Sequence, residues 1–132
     1  MIVSNFATKA QEVLSEHSTI TITVPNVSNE NGTVIFALHN EDTFMKKAPL
    51  QSESVKIVDG VAKVTFSNVA KGTYGITCVH DANDNKRMDF QTNGMPKESY
   101  GVSNNPMSFG PPRWDDAKLE VQEDELSLVI RL

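Results

Sequence analysis

The stretch TITITV, Thr19–Val24, sets three threonines against Ile20, Ile22 and Val24 in strict alternation. Successive side chains of a strand point to opposite faces, so this period of two describes a strand with one apolar and one polar face. Pro25 ends it, and SNENG (Ser28–Gly32) supplies turn residues. TVIFALH, Thr33–His39, is β-branched and aromatic and predicts a buried strand. NEDTFMKKAPL, Asn40–Leu50, predicts a long connection with Phe44 and Met45 tucked under it. ESVKIVDGVAKVTFSNV, Glu53–Val69, predicts a hairpin about Asp59-Gly60, with Ala62, Val64 and Phe66 on one face. KGTYGITCVHD, Lys71–Asp81, predicts a strand with Tyr74, Ile76 and Cys78 aligned. AKLEV (Ala117–Val121), the turn QEDE and LSLVIRL (Leu126–Leu132) close the pattern, with Leu126, Leu128, Ile130 and Leu132 facing inward.

About seven short strands with almost no helix predict an all-β fold, a single antiparallel β-sandwich of immunoglobulin or prealbumin type. One long loop separates the fifth and sixth strands. Loops that long inside a compact domain are usually functional or ordered by an ion. The sandwich is expected over residues 19–132. Residues 1–18 read as a tail or a short amphipathic helix, because Ile2, Phe6, Ala10, Val13 and Leu14 fall at helical spacing.

Composition narrows the function classes. With 132 residues, 39% hydrophobic and 22% charged, the chain can bury one core and is not of disordered type. A net charge of −5 argues against nucleic acid, whose phosphates require a basic stripe. Cys78 is the one cysteine, so it forms no intrachain disulfide and reads as a small core hydrophobe. No apolar run approaches the roughly 20 residues of a membrane span. The opening residues lack the apolar core of a signal peptide. The chain therefore reads either as a protein that stays in the cytoplasm or as a mature form whose leader has been removed.

The long loop begins HDANDNKRMDF, with oxygen-bearing side chains at alternate positions. Calcium takes six to eight oxygen ligands, and a tightly curled loop turns alternate side chains toward one centre. Asp81, Asn83, Asn85, the Arg87 carbonyl and Asp89 fit positions 1, 3, 5, 7 and 9 of such a loop. Lys86 stands where the sharp turn favours Gly, and Thr92 stands where a bidentate Glu is usual. Glu98 is the candidate to complete the set. The bland alternative is turn chemistry, since Asp and Asn side chains bond nearby backbone amides without any metal.

Other constellations are weaker. His39, His80 and Asp81 make a zinc set only if their strands are neighbours. Ser103, His80 and Asp81 make a hydrolase set, yet the chain carries no nucleophile elbow and no phosphate loop. Tyr100, Phe109 and Trp114, with Asn104, Asn105 and Arg113, are the residue types of a sugar- or peptide-binding surface. The same aromatic residues could instead cap the open end of the sandwich. Gly110-Pro111-Pro112 reads as a rigid bend.

Three linked segments, NVAKGTYGITCVHDANDNKRMDF, GMPKESYGVSNN and FGPPRWDDAKLEV, resemble the bacterial family called domain of unknown function 2141. The resemblance covers roughly Thr19 to Leu132. It implies a small sandwich of the transthyretin or carboxypeptidase regulatory-domain type, commonly exported, and implies no particular activity. The leading expectation is a non-enzymatic module whose Asp/Asn loop is ordered by calcium and which binds a protein or a glycan. The alternatives are a metal-free interaction domain using a sheet edge, and a hydrolase using His80 and Asp81.

Overall fold

The alternation read in the chain becomes two facing sheets in the computed structural model, which describes residues 16–27, 30–81, 99–106 and 111–132. The strands are β1 (His17–Val24), β2 (Thr33–His39), β3 (Gln51–Lys56), β4 (Ala62–Ala70), β5 (Gly72–Asp81), β6 (Tyr100–Val102), β7 (Leu119–Val121) and β8 (Glu125–Val129). A four-residue helix, α1 (Trp114–Ala117), precedes β7. One sheet has the order β4-β1-β8; the other runs β3-β2-β5-β6, with β7 also pairing with β5. The expected all-β sandwich is what forms. Of the segment 1–18, read as tail or helix, residues 1–15 lie outside the described residues, whereas His17 and Ser18 already belong to β1.

β1 sits at the centre of the smaller sheet. Its Ile20, Ile22 and Val24 are fully buried and meet Phe36, Leu38, Phe66, Ile76 and Cys78 in one core cluster. Each such side chain contributes about 1.5–3 kcal/mol by leaving water. On the outer face Thr21 and Thr65 stand opposite each other, their hydroxyls 3.4 Å apart. β4 keeps its alternation by a bulge. Ile20 pairs with Phe66 and Ser18 with Val69, so Ser67 and Asn68 together face Thr19. Asn68 takes φ 59°, and the extra residue returns Val69 to the core.

Three local expectations change once the sheets assemble. Asp59 and Gly60 do form the two-residue turn, with φ 54° and 77° and reciprocal Val58–Val61 bonds of 2.9 and 3.0 Å. The arms of that turn then part: β3 pairs with β2, and β4 pairs with β1. β4 carries a buried row that matches β1, whereas β3 is mostly exposed and serves as an edge. Second, β8 is parallel to β1, Ile20 facing Leu126. It arrives from β7 in the opposite sheet, so no hairpin fixes its direction. Third, Phe44 is buried in the β2–β3 connection but Met45 is exposed.

Candidate functional site

β5 is covered on both sides, and the candidate residues that the structure describes are placed around it. Its inner side chains Tyr74, Ile76 and Cys78 face the main core. Burial pushes the Cys78 thiol up to about 12. The outer face carries Gly75, Thr77, Val79 and Asp81, paired in register with His39, Ala37, Ile35 and Thr33 of β2. A second apolar cluster lies over part of this face: Phe44, Val102 and Ala117, with Tyr100 and Trp114 packed against it.

Asp81, the last residue of β5, is fully buried at one end of that face. Directly across from it, Thr33 Oγ1 is buried and, among the described residues, has no hydrogen-bond partner. Asn83, Asn85, Arg87, Asp89 and Glu98, the rest of the predicted calcium set, lie outside the described residues, as does Phe109. His80 points to the inner side and its Nε2 lies 2.8 Å from the Asn31 carbonyl.

The zinc and hydrolase constellations are not brought together. His39 pairs with Gly75 and His80 with Val34, at opposite ends of the β2–β5 ladder. His39 Nδ1 instead lies 3.0 Å from Thr43 Oγ1, its ring stands edge-on to Phe44, and burial lowers its pKa against the opposing bond from Thr43. The Ser103 hydroxyl donates to the Ala117 carbonyl and accepts from Ile76 N–H at 3.1 Å. Ile76 is four positions from His80, about 13 Å along a strand. Among the described residues no three His, Cys, Asp or Glu side chains converge as metal ligands.

The segment Tyr100–Asn105 works as a clasp. Gly101 lies where the backbone of Ile130 and Arg131 crosses β6, and a Cβ there would sit 2.6 Å from Ile130 Cγ2 and closer still to the Arg131 carbonyl. Asn104, at φ 71°, donates its amide to the carbonyls of Asp116 and Lys118 at 3.1 and 2.8 Å. Asn105, at φ 46°, donates to the Val129 carbonyl at 2.9 Å and accepts from Arg131 N–H at 2.8 Å. Its carboxamide thus imitates one residue of a strand beside the chain end. The amides of Asn104 and Asn105, singled out as ligand contacts, are engaged with the protein's own backbone.

Trp114 has a different setting. Its ring packs on Phe44, with centroids 5.8 Å apart, and over Gly75, where a Cβ would meet Trp114 Cζ3 at 3.2 Å. It also lines an open groove of about 560 Å³, together with Leu119, Thr73 and Asn40. Glu41, Asp42, Glu120 and Lys118 line it as well. The volume falls in the roughly 300–1,000 Å³ range of ligand-sized clefts. Arg113 is exposed at the start of α1, and Tyr100 is half-buried opposite Val79; neither lines the groove. The groove residues come from four separate segments; Trp114 was singled out in the sequence, and nothing in the local sequence of the others announces them.

A family model described as "Uncharacterized protein conserved in bacteria (DUF2141)" matches residues 22–128. The chain belongs to that family. The DUF2141 match runs from the last three residues of β1 through most of β8, and so includes Tyr100–Asn105, the groove residues and Asp81. No curated protein and no solved structure matches the chain. Among the described residues no helix is long and apolar enough to cross a membrane.

Proposed function

We propose that this DUF2141 chain is a non-enzymatic binding module whose loop from Asp81 to Asp89 is ordered by a calcium ion. The observation that carries the reading is Thr33 Oγ1, a buried oxygen without a partner among the described residues, directly across the sheet from buried Asp81. A hydroxyl left unsatisfied in the fold costs about 1–3 kcal/mol, and a hard cation that takes oxygen ligands relieves that cost. Asp81, Asn83, Asn85, the Arg87 carbonyl and Asp89 would hold the ion, with Glu98 and the Thr33 hydroxyl completing its oxygen set. The ion's role is structural: it fixes the start of the long loop so that the segment leading to the clasp is presented in one conformation. The open groove beside Trp114 supports the binding half of the reading, with a protein or a glycan as partner.

Thermal unfolding in millimolar calcium and in chelator tests this. Calcium at about 100 times its dissociation constant adds about 2.7 kcal/mol, or roughly 10 °C for a domain of this size. Asp81→Asn is expected to abolish the shift. Thr33→Val is expected to shrink it while leaving the chelated protein as stable as before, or more so. An unchanged melting temperature at saturating calcium would leave the Asp/Asn spacing as turn chemistry and make the module metal-free.

A further inference from the structure

We infer that the groove beside Trp114 is a receptor for a basic side chain, the ammonium or guanidinium group of a lysine or arginine on a partner protein. The inference rests on the binding-module reading, and it draws on the end of β5 opposite to Asp81. Among the described residues three carboxylates, Glu41, Asp42 and Glu120, stand around the groove against a single cation, Lys118. Lys118 is itself drawn toward Asp115, with Nζ 3.5 Å from Oδ1, so its charge is already partly answered. Glu41 and Asp42 are exposed, so they attract a cation before contact.

The apolar wall adds a specific receptor element. An indole face is the best of the aromatic side chains at holding a cation. Trp114 is held by its packing on Phe44 and on the bare backbone of Gly75, so its ring needs little ordering when a ligand arrives. Leu119 and Trp114 also offer an apolar wall to the methylene stem of lysine or arginine, and carboxylates receive the charged head. An acidic partner would meet like charge, and a neutral sugar would leave the net negative wall unused.

Trp114 is the only tryptophan in the chain, so fluorescence excited selectively in the indole band, clear of the two tyrosines, reports on this ring. The full chain is titrated at low ionic strength with a capped peptide carrying one lysine, with its ε-acetylated twin, and with a neutral oligosaccharide. A saturable change in Trp114 fluorescence is expected with the lysine peptide only. Amide shifts confined to 40–42, 73 and 114–120 are expected to accompany it. Affinity is expected to fall about fivefold for each of Glu41→Gln and Asp42→Asn, the effect of one charge about 4 Å away in water. It is also expected to fall in about 1 M salt, where screening acts within about 3 Å. Both substitutions are at exposed positions, so folding is retained and checked by circular dichroism. Three results would overturn the inference: an equal response to the acetylated twin or the sugar, unchanged affinity in both variants, or silence in fluorescence and amide shifts at millimolar peptide. Calcium-dependent unfolding can succeed while all of these fail, and the reverse, so the loop and the groove are judged separately.

Discussion

Gly101→Ala tests how the end of the chain is seated on the sandwich. An alanine Cβ would lie 2.6 Å from Ile130 Cγ2 and nearer still to the Arg131 carbonyl. Comfortable carbon–carbon contact begins near about 3.5 Å, so the crossing segment has to retreat by about 1 Å. It has little room to do so. Ile130 N–H bonds to the Thr23 carbonyl at 3.0 Å, and Arg131 N–H bonds to Asn105 Oδ1 at 2.8 Å. A retreat of that size lengthens at least one of these bonds past useful range, at about 1 kcal/mol. Crowding in a packed site adds about 1–3 kcal/mol, so the expected loss is about 2–4 kcal/mol. With about 2.1 cal/mol/K of unfolding entropy per residue over 132 residues, this lowers the melting temperature by about 7–14 °C. The assay is calorimetric or circular-dichroism melting of Gly101→Ala beside Gly72→Ala. At Gly72 the nearest atoms to a Cβ would belong to Tyr74, at 3.7 Å or more, and stability should change by less than about 0.5 kcal/mol. If Gly101→Ala melts within about 2 °C of the parent, the proposed close crossing of the terminal segment over β6 is wrong.

Two further outcomes follow from buried titratable groups. His39 has a folded pKa below its ordinary value of about 6.5 because burial disfavours its charged form, so the unfolded chain binds the extra proton first. Its contribution is fully present above about pH 6.5 and is lost as pH falls through the lower folded value; melting across pH 5–8 should show this slope, and His39→Gln should flatten it. Cys78 is fully buried with its thiol pushed up to about 12, so a thiol reagent at pH 8 should label the native chain only at the rate of opening and label it fully in denaturant. Fast labelling of the native protein would contradict its place in the core.

Much of the fold was legible because each feature was local. The alternation of Thr19–Val24, the Asp59-Gly60 turn and the single apolar Cys78 each depend on a few neighbouring residues, and all sit as their chemistry predicts. β6 was not legible. Its three residues contain a glycine whose justification is a backbone some thirty residues downstream in the chain, at Ile130–Arg131. The candidate site divides the same way. Asp81 was visible from its spacing, while Thr33 became relevant only when β2 paired with β5. Asn104 and Asn105 carried the residue types of a ligand contact, but their partners are backbone groups between 116 and 131.

By itself the sequence determined that this chain forms strands, where most of them lie, which face of each is apolar, and which loop is rich in cation-type oxygens. Those properties follow from side-chain periodicity and turn stereochemistry, which act over a few residues. Only the tertiary structure decided which strands pair. It sent the two arms of the Asp59-Gly60 turn to different sheets, laid β8 parallel to β1, and turned β5 into a strand buried on both faces. It also gathered Asn40, Glu41, Asp42, Thr73 and Trp114 around one groove. Pairing and gathering depend on complementarity between surfaces far apart in the chain, and no local period encodes that.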